Sequence, residues 1–398
     1  MKVTIITNEY PPYVYGGAGV HVKFLSRELA KHMKVDVRCF GDQQVEGDSL
    51  TVRGYKPWSR MSEGGDKRFN SALNTFSIDL AMVRDNFDSD VVHAHTWYAC
   101  LAGYLAKKLY DVPLICTTHS LEPLRPWKEE QLGNSYHLST WSEKLALEGA
   151  DRVVAVSRGA REDVLKLFDC DPDRVRVIYN GLDLDLYRPL FRDETRKAWN
   201  VNGDYILFVG RVTRQKGMIY AIEAMKYVDP GVKLICCTSA PDTKEVEAEI
   251  AAKVAAEPRC QWINTLLKEE DYVELYSNAR LFVCPSIYEP FGIINLESMA
   301  CKTAVVASAV GGILETIVDG ETGILVPPAD PMALADGINK LLRNPERAKQ
   351  FGENGRRRVV DHFSWASIAR QVEALYAEVV EEHARLHAGS GASPRVGA

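Results

Sequence analysis

Short apolar runs rich in Val and Ile alternate with longer segments of helical period along almost the whole chain. A strand buried on both faces reads as a continuous apolar run, so this alternation predicts parallel sheets covered by helices on both sides. A first array comprises Val3–Thr7, Val35–Phe40, Asp90–His95, Pro113–His119, Arg152–Ser157 and Arg174–Asn180, with helices expected over His21–His32, Trp97–Leu109 and Ser142–Leu147. It predicts a six-stranded sheet. After Asn180 and Gly181 the polar stretch Leu182–Pro189 intervenes, and a second array follows: Tyr205–Arg211, Val232–Thr238, Cys260–Asn264, Leu281–Ser286, Ala304–Ala307 and Gly323–Val326. Asp330 is an expected N-cap with Pro331 at the first helical position, and Leu334, Ile338, Leu341 and Leu342 form a stripe that ends at Asn344 and Pro345. Apolar residues at Ile368, Val372, Leu375, Tyr376 and Val379 predict a closing helix over about 366–386. The Gly, Ser, Ala and Pro tail 388–398 is expected to be disordered. The chain therefore reads as α/β, with a first domain 1–185 plus the closing helix and a second domain 186–365. Two doubly wound sheets facing each other predict a ligand cleft between their strand carboxyl ends.

A chain of 398 residues is long enough for two or three cores, and 46% hydrophobic with 26% charged residues excludes a disordered or collagen-like chain. A net charge of −6 supplies no general cationic field, so neither a nucleic acid nor a membrane is an expected partner. Nine cysteines without a CxxC pair read as buried, reduced thiols. The apolar stretch Val3–Ile6 breaks at Thr7, Asn8 and Glu9, far short of a signal sequence or of the roughly 20 residues of a spanning helix. These features predict a cytoplasmic protein.

Candidate chemistry lies in the loops after strands. Strand Tyr205–Val209 leads into Gly210-Arg211-Val212-Thr213-Arg214-Gln215-Lys216-Gly217, where Arg211 and Lys216 suit a clamp on a leaving diphosphate. A solvated loop is the bland alternative. Strand Leu281–Ser286 leads into a segment with Glu289 and Glu297 around Pro290, Phe291, Gly292 and Ile293, whose helix-start amides suit a phosphate. Glu297 would hold a ribose diol and Glu289 sugar hydroxyls. As a glycosidase pair they stand too far apart, since eight residues of helix span roughly 12 Å against the about 5–9.5 Å that hydrolysis needs. Gly16 and Gly17, before a helix starting near Val20, form a glycine loop that is neither GxGxxG nor a P-loop. His93 and His95 share one strand face, yet no acidic or Cys cluster completes a metal site, so no metal is expected. His119 suits a hydrogen bond to a sugar near the reacting carbon. The Pro-rich segment Leu121–Gly133 offers Trp127 for stacking a sugar and Arg125 and Lys128 for an anionic acceptor group, and Trp97 admits the same reading.

Gly16-Gly17, Thr118-His119-Ser120, Asn180-Gly181, Gly210-Arg211 with Lys216-Gly217, and Glu289 with Glu297 together resemble the retaining glycosyltransferases of family four, over nearly the whole chain. The stretches Tyr15–His21 and Ser120–Lys128 are similar to those of the short bacterial glycogen synthase and maltose-1-phosphate synthase branch. The resemblance implies a GT-B fold whose C-terminal helix crosses back to the first domain, and glucosyl transfer from a nucleoside-diphosphate glucose, ADP-glucose in particular, without a further cofactor. The acceptor would be an α-glucan end or glucose 1-phosphate. It also implies that Arg211 and Lys216 hold the donor phosphates, Glu289 the glucose, Glu297 the ribose and His119 the sugar near the reacting carbon, with Gly16, Gly17, Phe291, Gly292 and Ile293 lining the donor. One departure stands out. Longer glycogen synthases carry a Lys-x-Gly-Gly pattern, whereas Val14 and Tyr15 precede Gly16 here, leaving more phosphate charge to Arg211 and Lys216. The alternatives are a nucleotide-sugar epimerase, a silent sugar-binding partner, or a family-four transferase of the sucrose, trehalose or glycoconjugate type.

Overall fold

The computed structural model describes residues 1–62, 66, 69–129, 133–239 and 241–389. It divides into two compact units: Met1–Val156 with Arg161–Ile178 and Trp365 onward, and Ser157–Ala160 with Tyr179–Ser364. Tyr179 thus already lies in the second unit, ahead of residue 186. The 180s are tied into that unit because Leu182 N donates to Phe363 O at 2.7 Å.

The first unit is built on eight strands, β1 (Lys2–Thr7), β2 (Lys34–Phe40), β3 (Gln44–Val45), β4 (Leu50–Tyr55), β5 (Val91–His95), β6 (Leu114–Thr118), β7 (Arg152–Ala155) and β8 (Val175–Val177), in the order β3-β4-β2-β1-β5-β6-β7-β8. All neighbours are parallel except the β3–β4 pair. The expected six strands become eight because the edge pair carries no apolar run. Gln44–Val45 has two residues, and Leu50–Tyr55 alternates apolar with polar positions. β1 is flanked by β2 and β5, so the chain winds outward in both directions from β1 and leaves a switch point between β1 and β5. The helix Trp365–Gly389 belongs to this unit. Its Trp365 ring stacks on Phe24 with centroids 5.8 Å apart, and Glu378 and Glu382 each meet Arg152 Nη2 at 2.7 Å. Since this helix reaches Gly389, it takes in the first residues of the expected tail; 390–398 lie outside the described residues.

In the second unit all six expected strands form: β9 (Tyr205–Arg211), β10 (Lys233–Ser239), β11 (Cys260–Asn264), β12 (Leu281–Cys284), β13 (Val305–Ser308) and β14 (Gly323–Val326). Their order is β11-β10-β9-β12-β13-β14, parallel throughout, with a switch point between β9 and β12. Ile206, Phe208, Leu234, Leu281, Val283 and Val306 are buried in its core. Asp330 caps the helix Pro331–Leu342 by accepting from the amides of Met332 and Ala333, and Asn344 then caps a further helix, Pro345–His362. Among the described residues no helix is long and apolar enough to cross a membrane. The nine cysteines are free thiols, seven buried and Cys170 and Cys260 half-buried.

Candidate functional site

In the second unit the loops after β9 and β12 meet at the switch point, where ligands bind in open α/β sheets. The first loop is shaped by Thr213, whose hydroxyl accepts from Lys216 N, and by Gly217 at φ 64°, where a Cβ would stand 2.0 Å from Pro285 O. Only glycine fits there. Ile287 N donates to Gln215 O at 2.9 Å and locks the two loops together. Lys216 Nζ then lies 2.6 Å from Glu289 Oε2, which also accepts from Ser286 Oγ at 3.2 Å. Arg211, at the end of β9, places Nη1 3.3 Å from Asp242 Oδ1. Lys216 and Glu289 thus meet across two loops, and Arg211 leaves the same strand end with part of its guanidinium exposed.

Gly292 stands at φ 89° before the helix Ile293–Ala300 and gives it no side-chain cap; Asn295 N donates to Gly292 O at 3.0 Å, and the amides of Ile293 and Ile294 at the helix start face away from the helix's own carbonyls. Phe291 is buried against Tyr179 and Phe363, so its ring is core and only its backbone faces the turn. Glu297, one turn into the helix, accepts from Tyr276 Oη at 2.9 Å. Burial pushes its carboxyl up to about 7, against the lowering effect of the Tyr276 and Tyr187 hydroxyls. Gly311 and Gly312 lie against the backbone of Glu289 and Pro290, with Gly312 N donating to Glu289 O at 2.9 Å. Asp242, Tyr276 and the Gly311–Gly312 pair are not singled out by the sequence. The glycine pair after β13 is a signal it offers; the other two carry none.

The first unit holds the remaining candidates. Tyr15 N and Gly16 N both donate to Glu9 Oε2, at 3.0 and 2.8 Å, so the amide expected to cradle a phosphate at Gly16 already has a carboxylate. Gly17 opens the helix Gly17–Leu29. His93 is fully buried between Tyr376 Oη, 2.7 Å from Nδ1, and Thr117 Oγ1, 2.6 Å from Nε2, which makes it part of the core. His95 Nδ1 stands 3.0 Å from His119 Nε2, and His21, which the sequence does not single out, brings its ring within 4.8 Å of that of His119. Ring nitrogens of His21, His95 and His119 lie within 4.8 Å of one another. Burial pushes the imidazolium of His93 down to about 3 and those of His95 and His119 well below the usual range, with neighbouring imidazoles adding to the effect. Thr96, between β5 and Trp97, adopts φ 67°, a strained value for a β-branched residue, and donates to Asn8 Oδ1 at 3.1 Å across the β1–β5 switch point.

Trp97 is 2% exposed and offers no open face for stacking. Arg125 and Lys128 are also buried: Lys128 Nζ lies 3.2 Å from Glu122 Oε1, and Arg125 Nη1 3.7 Å from the same atom. Glu130, Gln131 and Leu132 of this segment lie outside the described residues.

Residues 15–186 match Glycosyltransferase Family 4 and residues 191–358 match Glycosyl transferases group 1. A protein of Mycolicibacterium smegmatis, alpha-maltose-1-phosphate synthase, is 45% identical over 395 residues, covering 95% of this chain and 100% of that one. The chain belongs to glycosyltransferase family 4. It is a glycosyltransferase with the two-domain GT-B fold. Sucrose-phosphate synthase from Thermosynechococcus elongatus superimposes with a TM-score of 0.80 at 26% identity, covering 96% of this chain and 99% of that one. The catalytic domain of starch synthase IV from Arabidopsis thaliana, bound to ADP and acarbose, shares the fold with a TM-score of 0.73 at 16% identity, over 95% and 99% of the two chains.

Proposed function

We propose that this glycosyltransferase moves glucose from a nucleoside-diphosphate glucose, ADP-glucose in particular, to the 4-hydroxyl of glucose 1-phosphate, giving maltose 1-phosphate with an α-1,4 bond. The observation that carries the donor side is the Lys216–Glu289 pair beside Arg211 at the switch point of the second sheet. The acceptor rests on the 45% identity to alpha-maltose-1-phosphate synthase. A diphosphate reaching the loop competes for Lys216 and Arg211, each now held by one carboxylate. Glu289 shares Lys216 with the phosphate and turns its remaining lone pairs to sugar hydroxyls. Glu297, once ionised, accepts from the ribose diol, and Gly292 lets the donor approach the helix-start amides.

The acceptor hydroxyl attacks C1 from the face that the diphosphate leaves. The bond from C1 to the phosphate oxygen breaks, the bond from C1 to the acceptor oxygen forms, and the hydroxyl proton passes to the leaving phosphate. Configuration at C1 is retained. Arg211 and Lys216 offset the charge developing on the leaving group, and positioning does the rest. The chemistry uses no cofactor, and its substrates are cytoplasmic metabolites.

Nucleoside diphosphate release is measured with ADP-, UDP- and GDP-glucose, offering glycogen and glucose 1-phosphate in competition. Release of ADP with glucose 1-phosphate, and an α-linked disaccharide phosphate by NMR, is the expected result. Elongated glycogen alone assigns the protein to glucan synthesis, and a new isomer of the donor sugar without acceptor assigns it to epimerisation.

A further inference from the structure

The segment after His119 contains buried nitrogen donors that the described chain leaves without acceptors. Arg125 is 7% exposed; its Nη1 donates to Ser120 Oγ at 3.2 Å, while its Nε is buried and meets no acceptor. The indole Nε1 atoms of Trp127 and Trp97 are buried and unbonded in the same way. The three residues belong to one corner. Lys128 N donates to Arg125 O at 2.9 Å and closes the turn that carries Trp127. Lys128 Nζ stands 5.7 Å from the Tyr98 ring centroid, and that ring stacks on Trp97 with centroids 4.1 Å apart.

Glu122 forms an ion pair with the Arg125 guanidinium, its Oε1 3.7 Å from Nη1, but leaves Arg125 Nε and the two indole N–H groups unserved. Its Oε1 takes Lys128 Nζ at 3.2 Å and its Oε2 takes Ser139 Oγ at 2.9 Å. Buried donors without partners are rare in native proteins and call for an explanation. Guanidinium and indole groups only donate, so the group that satisfies all three must be rich in lone pairs, and a phosphate monoester meets that need. A phosphate held by Arg125 also stands near Ser120, the residue after His119, which brings its sugar to the histidine cluster.

On the acceptor reading given above, we propose that this corner is the subsite for the phosphate of glucose 1-phosphate, with Arg125 Nε–H, Trp127 Nε1–H and Trp97 Nε1–H as donors. Both tryptophans then act as hydrogen-bond donors and not as stacking platforms, and Lys128 is the counter-ion of Glu122.

The test titrates full-length wild type, Arg125→Gln and Trp127→Phe with glucose 1-phosphate, inorganic phosphate and glucose, followed by tryptophan fluorescence, and measures KM for both substrates. Wild type is expected to bind glucose 1-phosphate, inorganic phosphate more weakly, and glucose not at all. Arg125→Gln raises KM for glucose 1-phosphate at least tenfold and leaves the donor KM in place, and Trp127→Phe, which keeps the apolar ring and removes the N–H, raises it several-fold. Wild-type KM values in both variants, with maltose 1-phosphate still formed, overturn the subsite and leave the function standing. Failure of the wild type to use glucose 1-phosphate overturns both. If Arg125→Gln does not fold, Trp127→Phe decides.

Discussion

The two units place titratable groups at their switch points in opposite ways. In the second, charged side chains face one another in pairs that keep some exposure, Lys216 with Glu289 and Arg211 with Asp242, so an incoming anion can exchange partners with them. In the first, imidazoles are packed against one another: His93 and His95 are fully buried, and His119 is held by His95. Burial there disfavours charge, and the cluster is neutral at pH 7. The contrast teaches how differently two strand ends can be built: charged pairs near the surface can trade partners with an incoming anion, whereas packed imidazoles offer neutral donors and acceptors held rigid.

The most direct way to break the comparison is to remove a cation. Arg211→Ala and Lys216→Ala are each expected to lower turnover about 10²–10³-fold in protein that circular dichroism shows to be folded. Near-normal turnover in both would reject the clamp.

Acid separates the units next. The unfolded chain binds protons on its histidines below about pH 6.5, while the native first unit keeps His93, His95 and His119 neutral, so stability rises with pH and is lost as pH falls below that value. Each histidine contributes about 1.4 kcal/mol per pH unit once protonated in the unfolded state. Glu297 has the opposite sign, because its raised native value makes the folded state hold the extra proton between the ordinary 4.5 and about 7. In denaturant melts across pH 5–7, His93→Phe should make the rise of stability with pH shallower and Glu297→Gln should make it steeper; equal slopes in the two variants would contradict the assignment.

Glu297 also sharpens the donor reading. If the ionised carboxylate receives the ribose, the donor KM rises about tenfold between pH 8 and pH 6, following the ionised fraction of a group near 7. Glu297→Gln should show a raised KM without that slope, and a slope unchanged in this variant would remove Glu297 from the donor site. The smallest expected effect is none: excess chelator leaves turnover unaltered if side-chain cations alone receive the leaving group, and a chelator-sensitive rate restored by a divalent ion would show otherwise.

How much of this was legible varies with how local the cause is. The second sheet's strands are apolar runs bounded by turns, and all six stand in the sequence. The edge strands Gln44–Val45 and Leu50–Tyr55 were hidden because a half-solvated edge needs no apolar run. The Arg211 and Lys216 loop could be found because two cations follow one strand within six residues. His21 could not, because it lies on the helix Gly17–Leu29 while its neighbours His95 and His119 come from the ends of β5 and β6, far along the chain.

By itself the sequence determined the α/β class, the two arrays, the strand-end loops that carry charge, and the family resemblance, because each depends on short-range period, turn residues or motif order. Only the tertiary structure decided which partner each charge takes: Glu9 on the Gly16 amide, Glu289 on Lys216, Glu122 on Lys128, and no acceptor for Arg125 Nε. Pairing, burial and the resulting protonation depend on distances between segments far apart in the chain, and residue order along one segment carries no information about them.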